Sequence, residues 1–473
     1  MKKQNNPGSM VYALCDWIAA LVSWILFFST RKIILEGYQW SDIRLFTHDI
    51  KFIYGLALIP LGWLLLYYVT GTYTNIYRKS RISEMLFTFF TVLSGVVIMF
   101  FVVLLDDAVR RYSDYYITLL LLFSTQFILT VFVRLLLLNK AKNEILKGHK
   151  GFRTIIIGGN ARAVEVYLNI THRKETLGYI FKGFIDTNGN STNGLDAHLN
   201  CLGKMDQLTH VIDELRIEEV IIAIESSEHP RINHIINQLV NKNVLIKIIP
   251  DAYDILSGSV RMQHIMGAAF IEIYPELMAR WQYILKRFFD VFVSTVVMLL
   301  LLPLYLFIAV KVRLSSTGPI LYRQVRVGLH GKPFTIYKFR SMYTDAEQAG
   351  PALSKKDDSR ITPWGRIMRK WRLDELPQFY NVLKGEMSLV GPRPERQFYI
   401  DQIIARTEDY KHLQRVQPGL TSWGMVQFGY AQDIDEMIRR MKYDLIYIEN
   451  MSLLLDLKIL LYTVRVILQG RGK

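Results

Sequence analysis

Long apolar runs occupy the first third of the chain. Four of them approach the ~20 residues that a helix needs to cross a bilayer, and they lie at residues 11–28, 50–69, 85–105 and 115–138. Basic residues cluster before the first run, between the second and third, and after the fourth. The positive-inside rule therefore predicts a four-helix transmembrane domain at 1–150, with everything after residue 140 in the cytoplasm. The first loop is also basic, but an even number of spans returns the chain to its starting side.

From residue 152 the pattern changes to short apolar strands alternating with helical stretches. Strands are predicted at 154–157, 181–185, 219–224 and 244–249. This alternation predicts a parallel, Rossmann-like α/β domain at 151–265. Gly158 and Gly159 follow the first strand and Asp186 ends the second, as in a dinucleotide-binding loop with its ribose acid. However, Asn160 stands where a second glycine would let the backbone approach a pyrophosphate, so we expect a regulatory or assembly domain.

Two adjacent carboxylates and a rigid arginine turn lie together in one short polar stretch. Asp374 and Glu375 are neighbours, and Arg393 stands between Pro392 and Pro394. Neighbouring carboxylates repel one another unless a cation or a proton separates their charges, and a metal ion bound to phosphate oxygens would supply that cation. Arg393 between two prolines would be a stiff, permanently charged phosphate clamp.

Basic residues surround this acid pair, which argues against a simple solvated surface pair. Those upstream are Arg323, Arg326, Lys332, Lys338, Arg340, Arg366, Arg369 and Arg372. So many cations beside one acid pair indicate a polyanionic substrate, most simply a diphosphate.

The apolar segment at 288–310 is long enough to be a fifth transmembrane helix. Pro303 interrupts it, and basic residues flank both of its ends. A fifth span would place the acid pair outside the cell, where nucleotide-activated substrates are absent. We therefore expect a re-entrant hairpin over 288–312, bent near Pro303, that enters and leaves by the cytoplasmic face.

Composition narrows the class of partner. The net charge of +15 fits either nucleic acid or a membrane surface. No zinc-finger spacing or aromatic RNA-binding signature accompanies the charge, so the apolar runs favour the membrane and no nucleic acid is expected. The two cysteines give neither a disulfide framework nor metal-ligand spacing. A last apolar segment at 451–468 carries three charges, which predicts a helix lying on the membrane or docked on the domain.

The chain from Lys286 onward resembles the bacterial sugar transferases, the monotopic polyprenyl-phosphate glycosyl-1-phosphate transferases. The matching motifs, in order, are KRFFD at 286–290, GPI at 318–320, GKPF at 331–334, YKFRSM at 337–342, LDELPQ at 373–378, GEMSLVGPRP at 385–394 and LDLKIL at 455–460. They cover nearly all of the chain after residue 286. Four spans and a central α/β domain resemble the large members that begin capsule, exopolysaccharide or O-antigen assembly.

The resemblance implies transfer of a sugar 1-phosphate from a UDP-sugar to undecaprenyl phosphate, with release of UMP. It maps the family's acid pair onto Asp374 and Glu375, with Asp374 as the nucleophile of a covalent phosphosugar intermediate. Lys338, Arg393 and Asp456 match other functionally important positions. Mg²⁺ is the expected cofactor, with Asp374 as a ligand, because oxygen-rich sites with few protein ligands suit that ion.

The expected organisation follows from these assignments. An α-rich catalytic domain at 280–473 faces the cytoplasm on the inner (cytoplasmic) membrane of a bacterium, and a homodimer through the central domain is expected. The expected substrate-binding residues are Lys338, Arg340, Arg366, Arg372, Arg393 and Asp456.

Two departures from the family pattern and two alternative functions stay open. Leu302 precedes the hairpin proline where many members have serine, and Ser422-Trp423-Gly424 follows the Pro-Gly-Leu-Thr turn where many have Gly-Leu-Trp. The sugar is therefore undetermined among glucose, galactose and N-acetylated sugars. The alternatives are a nucleotide-sugar oxidoreductase that uses the central domain and a non-catalytic membrane scaffold for polysaccharide assembly.

Overall fold

The computed structural model describes most of the chain. The described residues are 7–39, 49–74, 76–101, 112–148, 150–172, 178–187, 194–224, 229–240, 242–250, 270–273, 277–346, 350 and 358–469. The loops at 40–48 and 102–111, whose charges enter the topology prediction, lie outside these ranges. The chain divides into two compact units, the first being Met1–Gly151 with Arg173–Gly178 and the second Phe152–His172 with Tyr179–Lys473.

The described residues of all four predicted spans are helical in the first unit, and residues 102–105 of the third span lie outside the described ranges. The helices are α1 Pro7–Glu36, α2 Ile50–Val69, α3 Arg81–Met99 and α4 Tyr112–Leu146, and a short 3₁₀ helix, Ile76–Arg78, precedes α3. Each is long and apolar enough to cross a membrane. Helix α1 packs against α2 and α4, and α3 packs against α4. The four helices therefore fit a transmembrane bundle, and the chain is a membrane protein.

The core of this bundle combines aromatic rings with a buried network of charges. Arg134 on α4 donates hydrogen bonds to both carboxylate oxygens of Asp16, with Nε–Oδ1 and Nη2–Oδ2 distances of 3.1 and 2.8 Å. It also donates from Nη1 to Glu84 Oε1 at 3.3 Å and to Thr88 Oγ1 at 2.8 Å. Because a buried charge is costly without partners, this network fixes α1, α3 and α4 against one another.

The second unit begins with the predicted parallel sheet. Its strands are β1 Phe152–Ile157, β2 Tyr179–Asp186, β3 Cys201–Lys204, β4 Glu219–Ile222, β5 Leu245–Ile248 and β6 Ile271–Ile273, in the order β3-β2-β1-β4-β5-β6. The first five are parallel and β6 is antiparallel to β5. Helices α5 Ala161–Thr171, α6 Leu208–Glu214 and α7 His229–Leu239, with 3₁₀ helices Leu195–Ala197 and Met205–Gln207, accompany the strands. The predicted central sheet domain is therefore present.

The rest of the second unit is rich in helices, as predicted. The helices are α8 Arg280–Leu300, α9 Leu302–Ser315, α10 Pro363–Lys370, α11 Gln378–Lys384, α12 Gln397–Ile404, α13 Tyr410–Leu413, α14 Trp423–Gln427, α15 Ile434–Glu449 and α16 Leu453–Leu468. The strands are the antiparallel pair β7 Leu321–Val327 and β8 Pro333–Phe339 and the parallel pair β9 Ser388–Val390 and β10 Gly419–Thr421, with 3₁₀ helices Leu329–Gly331 and Leu373–Glu375. These elements position the candidate site.

Helices α8 and α9 form one apolar stretch that is bent by 64° at a single-residue break. Leu301 is the break, and Pro303 occupies the first turn of α9, where a proline needs no helical hydrogen-bond partner. The break therefore lies where the sequence predicts it, although α8 begins at Arg280, eight residues before the predicted apolar segment.

One face of α8 is polar and docks on β9 and α16. Lys286, Asp290 and Ser294, spaced four residues apart, are buried. Lys286 Nζ donates to Val390 O at 2.8 Å and to Asp456 Oδ2 at 2.6 Å, and Asp290 Oδ1 accepts from the Leu389 backbone N–H at 3.0 Å.

The opposite surface of α8 and α9 is apolar and exposed. Its residues include Phe288, Phe289, Phe292, Val296, Leu299, Leu300, Leu302, Leu306, Phe307, Val310 and Leu314. A large exposed apolar surface of this kind is typical of a membrane-contacting element.

Helix α16 docks on α8 and α15 by one face, which is one of the two predicted arrangements for 451–468. Ser452 caps its N-terminus by accepting the Leu455 N–H at 3.2 Å. Asp456 and Ile459 are buried, whereas Leu454, Leu457 and Leu461 are exposed.

Candidate active site

The acid pair lies in a tight turn between two helices. Thr362 caps α10 by accepting the Gly365 N–H at 2.9 Å, and the helix ends at Lys370. Arg372 then adopts a left-handed backbone conformation with φ 53° and ψ 26°, which a side chain other than glycine seldom takes. This reversal starts the 3₁₀ helix that carries Asp374 and Glu375, which are 6% and 7% exposed.

Three cations surround Glu375. Lys338 Nζ, from β8, donates to Oε1 at 2.9 Å. Arg372 Nη1 lies 3.7 Å from Oε2, and Arg393 Nη1 lies 3.9 Å from Oε1. Although burial opposes ionisation, Lys338, Arg372 and Arg393 together hold the pKa of Glu375 well below its ordinary value. Glu375 is therefore a permanent anion at physiological pH.

Asp374 has a different environment from its neighbour. Among the described residues its carboxylate forms no ion pair, whereas that of Glu375 forms three. Burial raises the pKa of Asp374, and the adjacent Glu375 charge raises it further, against the attraction of Lys338. Asp374 is therefore the carboxylate of the pair whose oxygens are available to a ligand.

Backbone pairing holds the arginine turn. Gly391 N donates to Thr421 O at 3.1 Å, and Gly419 N donates to Pro392 O at 2.9 Å, which extends the β9–β10 pairing into the turn. A Cβ on Gly391 would lie 2.3 Å from Gln417 O, so only glycine fits there. The turn therefore has a fixed backbone from which Arg393 projects.

A third carboxylate, Glu395, binds further arginines behind this turn. Arg440 Nη2 donates to Glu395 Oε1 at 2.6 Å, and Arg326 Nη1 donates to Oε2 at 3.3 Å. Arg393 Nε lies 3.9 Å from Glu395 Oε1. Glu395 and Arg440 are each 6% exposed, so this cluster is buried within the protein beside the arginine turn.

Most of these side chains, though not that of Arg372, line one cavity of about 950 Å³. Its cationic lining residues are Arg323, Arg326, Lys338, Arg340, Arg360, Arg369, Arg393, Arg396 and Arg440, and its carboxylates are Asp374, Glu375 and Glu395. Nine cations against three carboxylates give the cavity a strong positive potential, which suits a polyanionic ligand. The volume suits a ligand of drug-like or nucleotide size.

The structure brings five of the sequence-predicted residues to this cavity. Lys338, Arg340, Asp374, Glu375 and Arg393 line it. Arg340, however, donates from Nη1 to Thr317 O at 2.9 Å and from Nη2 to Ser316 O at 2.7 Å. Its guanidinium therefore ties β8 to the chain that follows α9.

The other three predicted binding residues lie elsewhere. Arg366 and Arg372 are not among the residues that line the cavity, although Arg372 contacts Glu375. Asp456 accepts from Lys286 Nζ at 2.6 Å and from Tyr447 OH at 2.7 Å. Asp456 thus anchors α8 to the catalytic elements and is separate from the cavity lining.

Sequence reasoning missed Glu395, Tyr430 and Arg440. Glu395 directly follows the Pro-Arg-Pro turn, and that adjacency is a signal that could have identified it. Tyr430 and Arg440 reach the cavity from a loop and from α15, far along the chain from the acid pair. No local pattern marks either residue.

The donor set for a metal ion is small. Within the described ranges, no group of three or more His, Cys, Asp or Glu side chains is arranged to hold a metal ion. Mg²⁺ commonly uses one or two carboxylates and completes its shell with substrate phosphates and water. Asp374, buried in the cavity wall and outside any ion pair among the described residues, fits that donor set.

The glycine-rich turn of the central sheet shows a structural reason for its sequence. Gly158 has φ +113°, and a Cβ there would lie 2.8 Å from Ala223 O at the end of β4. Asn160 Oδ1 accepts the Ala163 N–H at 3.0 Å and caps α5. The side chain thus occupies part of the helix N-terminus that would otherwise face a pyrophosphate, which counts against the oxidoreductase alternative.

The chain thus combines a transmembrane bundle, a central sheet domain and a cavity with a strong positive potential. Comparison with known proteins identifies the family. The model described as bacterial sugar transferase matches residues 281–470, and a model described as CoA-binding domain matches residues 63–250. The chain belongs to the bacterial sugar transferase family, and it is an enzyme, a phosphoglycosyl transferase.

Relatives extend along the whole chain. A UDP-glucose:undecaprenyl-phosphate glucose-1-phosphate transferase of Klebsiella pneumoniae is 29% identical over 94% of this chain and 95% of its own length. An undecaprenyl-phosphate galactose phosphotransferase of Salmonella typhimurium is 29% identical over 98% of this chain and 94% of its own. The Bacillus subtilis sugar transferase EpsL is 41% identical over 40% of this chain and 90% of its own.

Proposed function

We propose that this enzyme transfers a sugar 1-phosphate from a UDP-sugar to undecaprenyl phosphate, giving undecaprenyl-diphosphate-sugar and UMP. The observation that carries the proposal is the difference in electrostatic environment between the two carboxylates of the acid pair. Glu375 is caged by three cations, whereas Asp374 faces the cationic cavity without an ion pair among the described residues. The names of the full-length relatives supply the substrate class.

The reaction we propose has two displacements at phosphorus. A carboxylate oxygen of Asp374 attacks the sugar-bearing phosphorus, and the bond from that phosphorus to the oxygen bridging the two phosphates breaks. UMP leaves with the electron pair, and an aspartyl phosphosugar remains. A phosphate oxygen of undecaprenyl phosphate then attacks the same phosphorus, the aspartyl bond breaks and Asp374 is regenerated. Each step is easier than one direct transfer between two anions.

The side chains around Asp374 have separable roles in this proposal. Arg393 holds a donor phosphate, because its guanidinium forms a fork suited to phosphate oxygens. Lys338 and Arg372 keep Glu375 ionised and in place, so that the pair carries a fixed charge. A bound Mg²⁺, held in part by Asp374, would neutralise phosphate charge and lower the repulsion that the carboxylate meets.

The broken helix pair supports a membrane-surface location for this chemistry. Its exposed apolar surface and docked polar face favour a re-entrant segment that does not cross the bilayer. With four preceding spans and a cytoplasmic N-terminus, the cavity would lie on the cytoplasmic side of a bacterial inner membrane. UDP-sugars are made in the cytoplasm and would reach it there. The step would then be the first membrane reaction of capsule, exopolysaccharide or O-antigen synthesis, and a homodimer remains our expectation.

A donor screen tests the proposal. Purified enzyme is incubated with Mg²⁺, undecaprenyl phosphate and one of UDP-glucose, UDP-galactose, UDP-N-acetylglucosamine or UDP-N-acetylgalactosamine, and released UMP is measured. At least one donor should give UMP that depends on the lipid and is absent with Asp374→Asn. Release from no donor, or equal release from the Asn variant, would refute the proposal.

A further inference from the structure

Tyr430 contacts two arginines of the site at once. It lies in the loop between α14 and α15 and lines the cavity. The Cζ atoms of Arg372 and Arg393 each lie 5.4 Å from the centroid of its ring. An aromatic ring attracts guanidinium groups at this distance through its quadrupole.

The same two arginines also flank Glu375. Their nearest nitrogens lie 3.7 and 3.9 Å from its carboxylate oxygens. Two positive groups are therefore held between one carboxylate and one aromatic ring. Both partners offset the repulsion between the guanidinium groups, and together they restrict the directions in which each group can face.

The two arginines differ in what else they reach. Arg372 is outside the cavity lining, its side chain is 9% exposed, and its buried Nε has no hydrogen-bond partner among the described residues. Arg393 lines the cavity. Arg372 therefore belongs to the supporting structure, whereas Arg393 presents its guanidinium to a ligand, with the Tyr430 ring linking the two.

We infer that Tyr430 is a positioning residue, whose ring holds the Arg393 guanidinium in the orientation that receives the donor diphosphate. The inference rests on the proposed function for the identity of that ligand. Tyr430 follows the Ser422–Gly424 segment, where this chain departs from the family pattern.

Binding of UDP with Mg²⁺, measured by calorimetry on the full-length protein in detergent, tests the inference independently of turnover. Tyr430→Leu removes the ring, and we expect roughly tenfold weaker UDP binding. Tyr430→Phe keeps the ring and should restore affinity to within about threefold. In an Arg393→Gln background, where the guanidinium is already absent, Tyr430→Leu should cost less than about twofold, because only coupled residues show such non-additivity.

A matched control separates this effect from general loss of an aromatic contact. Tyr380 carries Lys384 Nζ 5.7 Å from its ring centroid and lies outside the cavity lining. Tyr380→Leu should leave UDP affinity within about twofold of wild type.

Several outcomes would overturn the inference. The first is that wild type and Tyr430→Leu bind UDP equally well, or that neither binds it. The second is that Tyr430→Phe loses as much UDP affinity as Tyr430→Leu. The third is that Tyr430→Leu costs as much affinity in the Arg393→Gln background as in wild type. A wild type that binds UDP but turns over no UDP-sugar would refute the proposed function while leaving these affinities to judge Tyr430.

Discussion

Asp374 and Glu375 are neighbours in sequence but occupy opposite electrostatic environments. Lys338, Arg372 and Arg393 hold the pKa of Glu375 low, whereas burial raises that of Asp374. Pairs of titratable groups with divergent pKa values commonly have distinct catalytic roles. These two environments support the proposal that Glu375 is a fixed counter-ion for the surrounding cations and that Asp374 is the reactive group.

Arg393→Lys tests whether the guanidinium fork matters beyond its charge. Lysine retains the positive charge but loses planar, two-point contact with phosphate oxygens, so we expect a loss of ~1–3 kcal/mol in donor binding. The KM for the UDP-sugar, measured by UMP release, should rise accordingly. Unchanged kcat and KM in the Lys variant would assign Arg393 a purely structural role.

Asp444 on α15 gives a pH-dependent prediction. Its Oδ1 accepts the Gly424 N–H at 2.8 Å, and burial raises the pKa of this carboxyl to about 6 despite the hydrogen bond from Gly424 and the attraction of Arg440. The native state therefore binds the proton more tightly than the unfolded state. Its stabilising contribution is present below about pH 4 and is lost as pH rises through about 6, which amounts to roughly 3 kcal/mol.

Asp444→Asn removes this titration. Relative to wild type, the Asn variant should gain thermal stability as pH rises from about 4 to 7, whatever constant difference the amide introduces. The check is the difference in Tm between the two proteins across that range, measured in detergent. A difference that stays flat with pH would show that Asp444 does not titrate in this window.

At the scale of elements, the sequence predicted periodic features well. The described part of each predicted span is helical, and each of the four predicted strands is present, because hydrophobic periodicity reports which face or segment is buried. The two edge strands, β3 and β6, were not predicted. The break beside Pro303 also follows from local chemistry. The start of α8 was placed eight residues late, since Lys286 is polar and its burial depends on Asp456, 170 positions away.

The site residues differ in whether nearby residues in the sequence reveal their chemistry. Asp374, Glu375 and Arg393 lie in motifs whose neighbours reveal their chemistry. Asp456 matches a family position, but only the three-dimensional contacts show that it anchors α8. Tyr430 depends on long-range packing that no local pattern encodes.

The broken pair α8–α9 leads to a topology prediction. Cysteines at the exposed positions Ala279 and Thr317, which bracket the pair, are introduced singly in a background where Cys15 and Cys201 are serine. A re-entrant segment would keep both ends on the cytoplasmic side, so a membrane-impermeant thiol reagent should label neither position in intact cells and both after lysis.

Gln39→Cys, in the loop between α1 and α2, is the matched control and should be labelled in intact cells. Labelling of Thr317→Cys but not Ala279→Cys before lysis would mean that the pair crosses the membrane, and the re-entrant account would be wrong.

At the scale of the whole molecule, the transmembrane bundle depends on its buried charges. Arg134→Met leaves Asp16 without its guanidinium partner. Because losing one member of a buried ion pair typically costs 3–5 kcal/mol of stability, we expect a loss of roughly 3–5 kcal/mol here. Adding Asp16→Leu should recover part of the loss, because no unpaired charge then remains at that position. Lys140→Met, exposed on the same helix, is the control.

Thermal unfolding in detergent, followed by loss of the monodisperse peak in size-exclusion chromatography, measures these differences. Equal stability of Arg134→Met and Lys140→Met would show that the network does not hold the bundle together.

In the proposed reaction, Asp374 carries the sugar phosphate between the two substrates. The most direct measurement is mass spectrometry of the intact enzyme and its peptides after incubation with the accepted UDP-sugar and Mg²⁺ but without lipid. We expect a phosphosugar adduct on the peptide containing Asp374, absent from Asp374→Asn and lost on addition of undecaprenyl phosphate. A wild type that forms lipid-linked product without any such adduct, or an Asp374→Asn variant with near-normal turnover, would contradict the proposed reaction.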